Sequence, residues 1–478
     1  MKKRNIGILI LMLISPLIVT AAPPSKPDGN MKPGDNNSLN ITYKAATTFS
    51  TSNTEDSKTY SSTTGGENAL LVSDQESVIT NPIIKKVGDE TSENSDFYGT
   101  NAGILVYKNG ILNITGGTIT TDGSHANAVF SYGTGKINLN NTKIYTTKNN
   151  SGGIMVAGGG SITANNLEVK TSGNSSAAIR SDRGGGVISV ESGVYETSGV
   201  GSPVIYSTAN ITVNNASLNA TKSEGVVVEG ANSVTLNNTT LSDSNTTLNG
   251  NSETYKNIFL YQSMSGDAES GVATFTAKDS TIKTLKGDTI FVTNTKAVIN
   301  LEANEFENTD GDFLRIQTGK WGNSGSNGGV VTLNLKDQII NGSIVVDNIS
   351  SLDIKMEGTS IFKGSIDNDN QAKKITLTMS KDSTLNLEKD TYLDELSNED
   401  STNTNIYSNG FKLIVAGEEI TTNTGTYQEI IDSGVIAENG NNNFFNDFKI
   451  PIIVLSLGVI LLVFAIILKR FKKKSWIF

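Results

Sequence analysis

Residues 154–170 read Ile154-Met-Val-Ala-Gly-Gly-Gly-Ser-Ile-Thr-Ala-Asn-Asn-Leu-Glu-Val-Lys170, three short apolar stretches divided by a glycine run and an asparagine pair. Side chains alternate across a strand, so Ile154, Val156, Ile162, Ala164, Leu167 and Val169 can share one inward face. Moving outward, the pattern recurs. Ile104, Val129, Ile154, Ile179 and Val204 begin equivalent stretches 25 residues apart, and Val226 follows after 22. Eight positions after each start stand Leu112, Ile137, Ile162 and Val187; fifteen after stand Ile119, Ile144, Val169 and Val194. The series then loosens through Ile258, Ile290, Phe313 and Ile344, with an insertion at Ser263 to Gly271. Self-similarity at such a period marks a solenoid. An antiparallel sandwich also has short strands between turn signals, but it does not require apolar columns in residue-for-residue register. Three strands per coil give an all-β parallel β-helix over 101–418, of roughly a dozen coils and about 50 to 60 Å long.

The corners fit this reading. Asn140-Asn141, Asn165-Asn166, Asn214-Asn215 and Asn237-Asn238 fall between the second and third strands. Asparagine tolerates left-handed backbone and bonds locally, so stacked copies predict a side-chain ladder. Gly158 to Gly160 and Gly184 to Gly186 mark another corner, and without a helix after them they are turn glycines rather than a phosphate loop. Residues 39–100 are expected to hold the N-terminal cap and the first irregular coils.

The chain ends carry separate signals. Lys2, Lys3 and Arg4, the apolar run Ile6 to Val19 and the small residues Thr20-Ala21-Ala22 read as a signal peptide over 1–22. Residues 23–38 and 419–448 are polar and aperiodic, a flexible N-terminal segment and a tether. Ile450 to Leu468 is uncharged and long enough to span a bilayer, giving a transmembrane helix over 449–468. The basic tail 469–478, with Lys469, Arg470, Lys472, Lys473 and Lys474, belongs on the cytoplasmic side. The expected location is the cell membrane, single-pass, with the β-helix extracellular. There is no Cys, which excludes disulfides, thiol chemistry and Cys-based metal sites. Setting aside the eight basic residues of the two ends leaves 30 against 48 acidic ones, a charge near −18. That excludes nucleic acid as a partner, because phosphates require basic surfaces.

Ser176-Ala-Ala-Ile-Arg-Ser-Asp-Arg-Gly-Gly-Gly, Ser202-Pro-Val-Ile-Tyr-Ser-Thr-Ala and Leu377-Thr-Met-Ser-Lys-Asp-Ser-Thr-Leu-Asn-Leu resemble bacterial surface proteins of the pectate-lyase-like right-handed β-helix class, often labelled adhesin-like. The resemblance covers about 65 to 418. It implies a right-handed coil and a surface location but names no ligand. The chain has no L-P-x-T-G wall-sorting motif, so the membrane helix is left to hold it.

Candidate chemistry is sparse. A lyase needs an Arg or Lys base beside carboxylates, and the best group is Arg180, Asp182 and Arg183, with the only histidine, His125, about two coils away. Paired carboxylates suited to glycoside hydrolysis do not stack in any column. Tyr145 and Tyr195 on the third strand could offer a shallow carbohydrate contact. Thr121, Thr146 and Thr171 stack as a possible ice-type face, broken at Glu196. The sequence thus predicts a monomeric, non-catalytic display or adhesion protein, without cofactor or metal, binding a surface carbohydrate or a protein of a host or neighbouring cell. Arg180, Asp182, Arg183, Tyr145 and Tyr195 are its candidate ligand contacts. A polysaccharide lyase or hydrolase is the alternative.

Overall fold

The computed structural model describes residues 41–250, 252–425 and 427. The expected signal peptide, the 23–38 segment, most of the expected tether, the expected transmembrane helix and the basic tail lie outside the described residues. Within those residues no helix is long and apolar enough to cross a membrane.

The chain winds into a right-handed-type parallel β-solenoid of about fifteen turns, a few more than the dozen expected. At the spacing of neighbouring strands that is an axis of about 70 Å. Three ladders run its length. Sheet A has 12 strands from Ala45–Phe49 to Ile344–Val346, sheet B has 14 from Thr54–Asp56 to Glu395–Asn398, and sheet C has 10 from Thr59–Ser62 to Glu305–Asn308. A 4-stranded ladder beginning at Ile339–Asn341 takes over from sheet C. The last pair, Leu413–Val415 with Glu418–Glu419, is antiparallel.

The 154–170 stretch folds as read: Ile154–Ala157 in sheet A, Gly160–Asn165 in sheet B and Leu167–Thr171 in sheet C. Ile154, Val156, Ile162, Ala164, Leu167 and Val169 are all buried in one continuous core that follows the axis. Each such side chain adds about 1.5 to 3 kcal/mol of burial, and the repeat sums it turn by turn.

The 25-residue register holds from Ile104 to Ile179 and then steps. Ile154 pairs with Ile179 and Gly160 with Gly186, so the second corner is one residue longer than the first. Every later column moves with it. Ile162 pairs with Ile188, Val169 with Tyr195 and Ile179 with Ile205. Val187 and Val194, expected inside, are 47% and 41% exposed. A one-residue slip exchanges the two faces of a strand. The cause is the Gly184 to Gly186 corner, whose three glycines all have positive φ and absorb the extra residue.

The asparagine ladder is present. Asn141, Asn166, Asn215 and Asn238 have φ between 46° and 54°. Asn166 Nδ2 donates to Asn141 Oδ1 at 2.7 Å, and Asn238 Nδ2 donates to Asn215 Oδ1 at 2.7 Å. The turn between lacks the pair, and Glu191 fills the gap by accepting from Asn214 and Asn215. The threonine column does not face solvent. Thr171 pairs with Thr197 rather than Glu196, all four threonines are buried, and Thr146 and Thr171 donate to the carbonyls of Ser151 and Ser176.

Candidate functional site

The three corners of the coil are unequal. From Asp56 to Ile339 the passage from sheet B to sheet C never takes more than two residues. The two corners beside sheet A hold all the long insertions of that stretch: residues 88–103 and 244–255 on the way in, 262–271 and 317–328 on the way out. The outer face of sheet A also has its own composition. Leu71, Leu105, Phe130 and Met155 form a second buried apolar cluster outside the solenoid, and Arg180 and Tyr206 continue the same column. Sheet B by contrast shows solvent a polar face, an amide ladder where Asn138 Nδ2 donates to Asn113 Oδ1 at 2.7 Å and ion pairs further on where Lys278 and Lys336 meet Glu302.

Residues 88–103 carry the helix α1 (Asn94–Tyr98), which lies across this cluster. It ends at Gly99, whose φ of 73° is left-handed. A Cβ there would also sit 2.8 Å from the Phe130 ring, so backbone and packing both require glycine. Tyr98 meets Tyr132 edge to face, with centroids 5.6 Å apart.

Arg180 and Asp182 line a cleft of about 310 Å³ with Glu93, Asp96, Tyr206 and Asp267. Arg180 Nη2 donates to Asp182 Oδ2 at 3.1 Å, and Nη1 stands 3.8 Å from Asp96 Oδ1. Asp96 Oδ2 is 2.7 Å from His125 Nδ1, and the other ring nitrogen, Nε2, is 3.0 Å from Asn150 Nδ2. The geometry gives the neutral ring its proton on Nδ1, with Nε2 accepting from Asn150. Arg183 turns the other way, donating to Asp267 in the 262–271 insertion, with its guanidinium 3.7 Å from the centre of the Phe97 ring. Burial pushes Asp182 up to about 7, opposed by Arg180 and reinforced by the like charge of Asp267. The hydrogen bond to Asp96 raises His125.

Next to the cleft, Glu229 accepts from Tyr206, Tyr261 and Ser263, and burial raises its carboxyl as well. Further along the face, the rings of Phe259 and Tyr261 stack at 4.5 Å. Phe291 lies 5.8 Å from Phe259, and Trp321 lies 5.5 Å from Tyr261.

Of the residues singled out in the sequence, Arg180, Asp182 and Arg183 come together, and His125 joins them through Asp96. The two tyrosines do not form a patch. Tyr145 is half-buried on the outer face of sheet C, donating to Glu168 at 3.0 Å. Tyr195 is fully enclosed in the core, because the step at Gly184 to Gly186 turns it inward opposite Val169. Asp96, Asp267 and Glu229 were missed. Asp96 and Asp267 come from insertions without periodicity, and the Arg183–Asp267 contact joins positions 84 residues apart. The one available signal was the Ser263 to Gly271 interruption of the repeat.

No family model, curated protein or solved structure matches the chain. Among the described residues no group of His, Asp and Glu is arranged to hold a metal ion.

Proposed function

We propose that the chain is a non-catalytic, membrane-anchored surface β-solenoid that binds a carbohydrate or a protein partner across the outer face of sheet A. One observation carries this reading: the long insertions and the aromatic side chains of Phe259, Tyr261, Phe291 and Trp321 gather on that face, away from the repetitive corner. Binding residues concentrate on loops held by a rigid scaffold. The charges support binding over turnover. Arg180 is paired with Asp182 and faces Asp96, and Arg183 is paired with Asp267 and stacked on Phe97, so both guanidinium groups are held in the charged form, which does not take a proton from a substrate. The location rests on the signal sequence, the apolar run and the basic tail.

The test is binding of the full-length chain, displayed on cells, to arrayed glycans and to neighbouring cells. Trp321→Ala with Phe259→Ala should weaken the retained ligand on the order of 30-fold, as expected for buried aromatic anchors. Unchanged binding would remove sheet A as the contact face. A lyase or hydrolase is the second reading, favoured by the carboxylates that flank Arg180 in a cleft. We expect no turnover of pectate, alginate or hyaluronan. Unsaturated-sugar absorbance that Arg180→Ala abolishes would make this second reading the correct one.

A further inference from the structure

The apolar cluster on the outer face of sheet A is covered by residues 88–103 and, at its edge, by Tyr43, Tyr107 and Tyr132. Leu105, Phe130 and Met155 are inaccessible to solvent, although they point away from the solenoid core. The segment above them is pinned at both ends. Asp89 Oδ1 accepts from the Ser124 backbone at 2.8 Å, and Asn101 Nδ2 donates to the carbonyls of Gly88 and Ser124. Between those pins, α1 meets sheet A at two places: its Gly99 carbonyl accepts from Asn68 Nδ2 at 2.7 Å, and Asp96 meets His125 on one oxygen and Arg180 on the other, the only titratable attachment of the two. Phe97 adds its stacking on Arg183. The Arg180 side is slack: Asp96 Oδ1 and Arg180 Nη1 are both buried, neither has a hydrogen-bond partner, and they stand 3.8 Å apart.

We propose that residues 88–103 are a strap fastened by protons, closed over the sheet A cluster in mildly acidic surroundings and released as pH rises through neutrality. The groups that face the fastening are few. Around His125 they are Asp96 and Glu90 of the strap, Arg180 of sheet A and the Asn150 amide. Around Asp182 they are Arg180, the Arg183 backbone, Asp267 of the 262–271 insertion, Asp96 and the Tyr206 hydroxyl, which stays protonated over this range because burial holds it well above the ordinary tyrosine value. When the strap lifts, His125 loses the Asp96 bond that raises it and returns to the ordinary imidazole range. The closed state therefore binds the imidazole proton more tightly, and loses that stabilisation as pH climbs past the raised value. Asp182 has the same sign. Burial and the like charges of Asp267 and Asp96 hold it up in the closed state. Lifting the strap removes Asp96 and part of the burial and leaves Arg180 to Asp182 alone, so its pKa falls and its proton too favours closure. Histidine gives such a switch its neutral-pH range. Raised pH thus uncovers an apolar surface on the face proposed for binding, although the strap itself does not depend on that proposal.

The chain has no cysteine, so one can be placed at will. Met155→Cys beneath the strap is compared with Ser217→Cys on the exposed face of sheet C, both in the full-length protein. Each labelling rate by a thiol reagent is divided by the thiolate fraction of its own site before the ratio is taken, because position 155 pairs with Arg180 and position 217 does not. The ratio should rise about 10-fold between about pH 6 and about pH 8, well below the ceiling of tenfold per pH unit for each proton released. In a His125→Gln, Asp182→Asn background the ratio should stay flat. Hydrogen exchange of the Asn94–Ala102 amides in the unsubstituted chain, corrected for its intrinsic pH dependence, should rise over the same range and guards against misfolding of the cysteine variant. A ratio and an exchange rate that ignore pH, or that rise equally in the double variant, overturn the strap.

Discussion

At the corner between sheets B and C the chain does nearly the same thing each time: one or two residues, the first usually with positive φ, and over Asn141–Asn166 and Asn215–Asn238 an asparagine that bonds to its copy in the next turn. Beside sheet A the corners change along the axis: a serine ladder joins Ser151, Ser176 and Ser202 in successive turns, and past it come insertions that reach across several turns, as the 262–271 segment does to Arg183. Both regions rest on the same apolar columns. The contrast shows how a solenoid divides its labour. A corner whose side chains ladder along the axis must keep its length, because an insertion breaks the bond to the turn on either side. Where a ladder stops, as beside sheet A beyond Ser202, the corner can accept new chain, and loop closure grows slowly in cost with length.

The largest effect should come from the shared columns. Val169→Asp buries an unpaired carboxylate between Ile144 and Tyr195 and should cost more than about 4 kcal/mol or prevent folding. Lys170→Ala, one residue along and exposed, should leave the denaturation midpoint nearly unchanged. Equal losses at the two positions would mean the inward face is misassigned. Tyr195→Ala comes next, at about 3 to 5 kcal/mol for a large core ring, against a small change for Tyr145→Ala on the outer face. Similar midpoints for these two would contradict the register step. At the constant corner, Asn166→Ala loses a ladder bond and places alanine at a φ of 52°, for about 1 to 2 kcal/mol. Asn166→Gly should recover part of this by relieving the backbone, and a thermal melt of both variants separates ladder from strain. The smallest effect belongs to the variable corners. Shortening 322–326 should change stability by about 0.5 kcal/mol or less. A loss as large as that of Asn166→Ala would erase the distinction between the corners.

Most of the architecture was legible because it is periodic. A run of turns from Ile104 to Ile179 repeats every 25 residues, and the asparagine pairs announce their corner. The reading slipped where the sequence is locally ambiguous. Val187 stands beside Ile188, Val194 beside Tyr195 and Val204 beside Ile205, so either neighbour satisfies an apolar column and only the backbone at Gly184 to Gly186 decides. Half of the candidate site was legible for a related reason. Arg180, Asp182 and Arg183 are close in sequence and put three charges into four consecutive positions. Their partners Asp96 and Asp267 sit in segments with no period, and nothing in a linear pattern ties them to the turn they meet.

The constant corner has an evolutionary consequence. Because one turn docks on the next through the same columns and the same asparagine bond, an in-frame duplication of a single 25-residue unit inherits a ready-made neighbour on both sides. Such a protein can grow longer by copying without redesigning its interior, and each added unit arrives with two loops beside sheet A that are free to diverge.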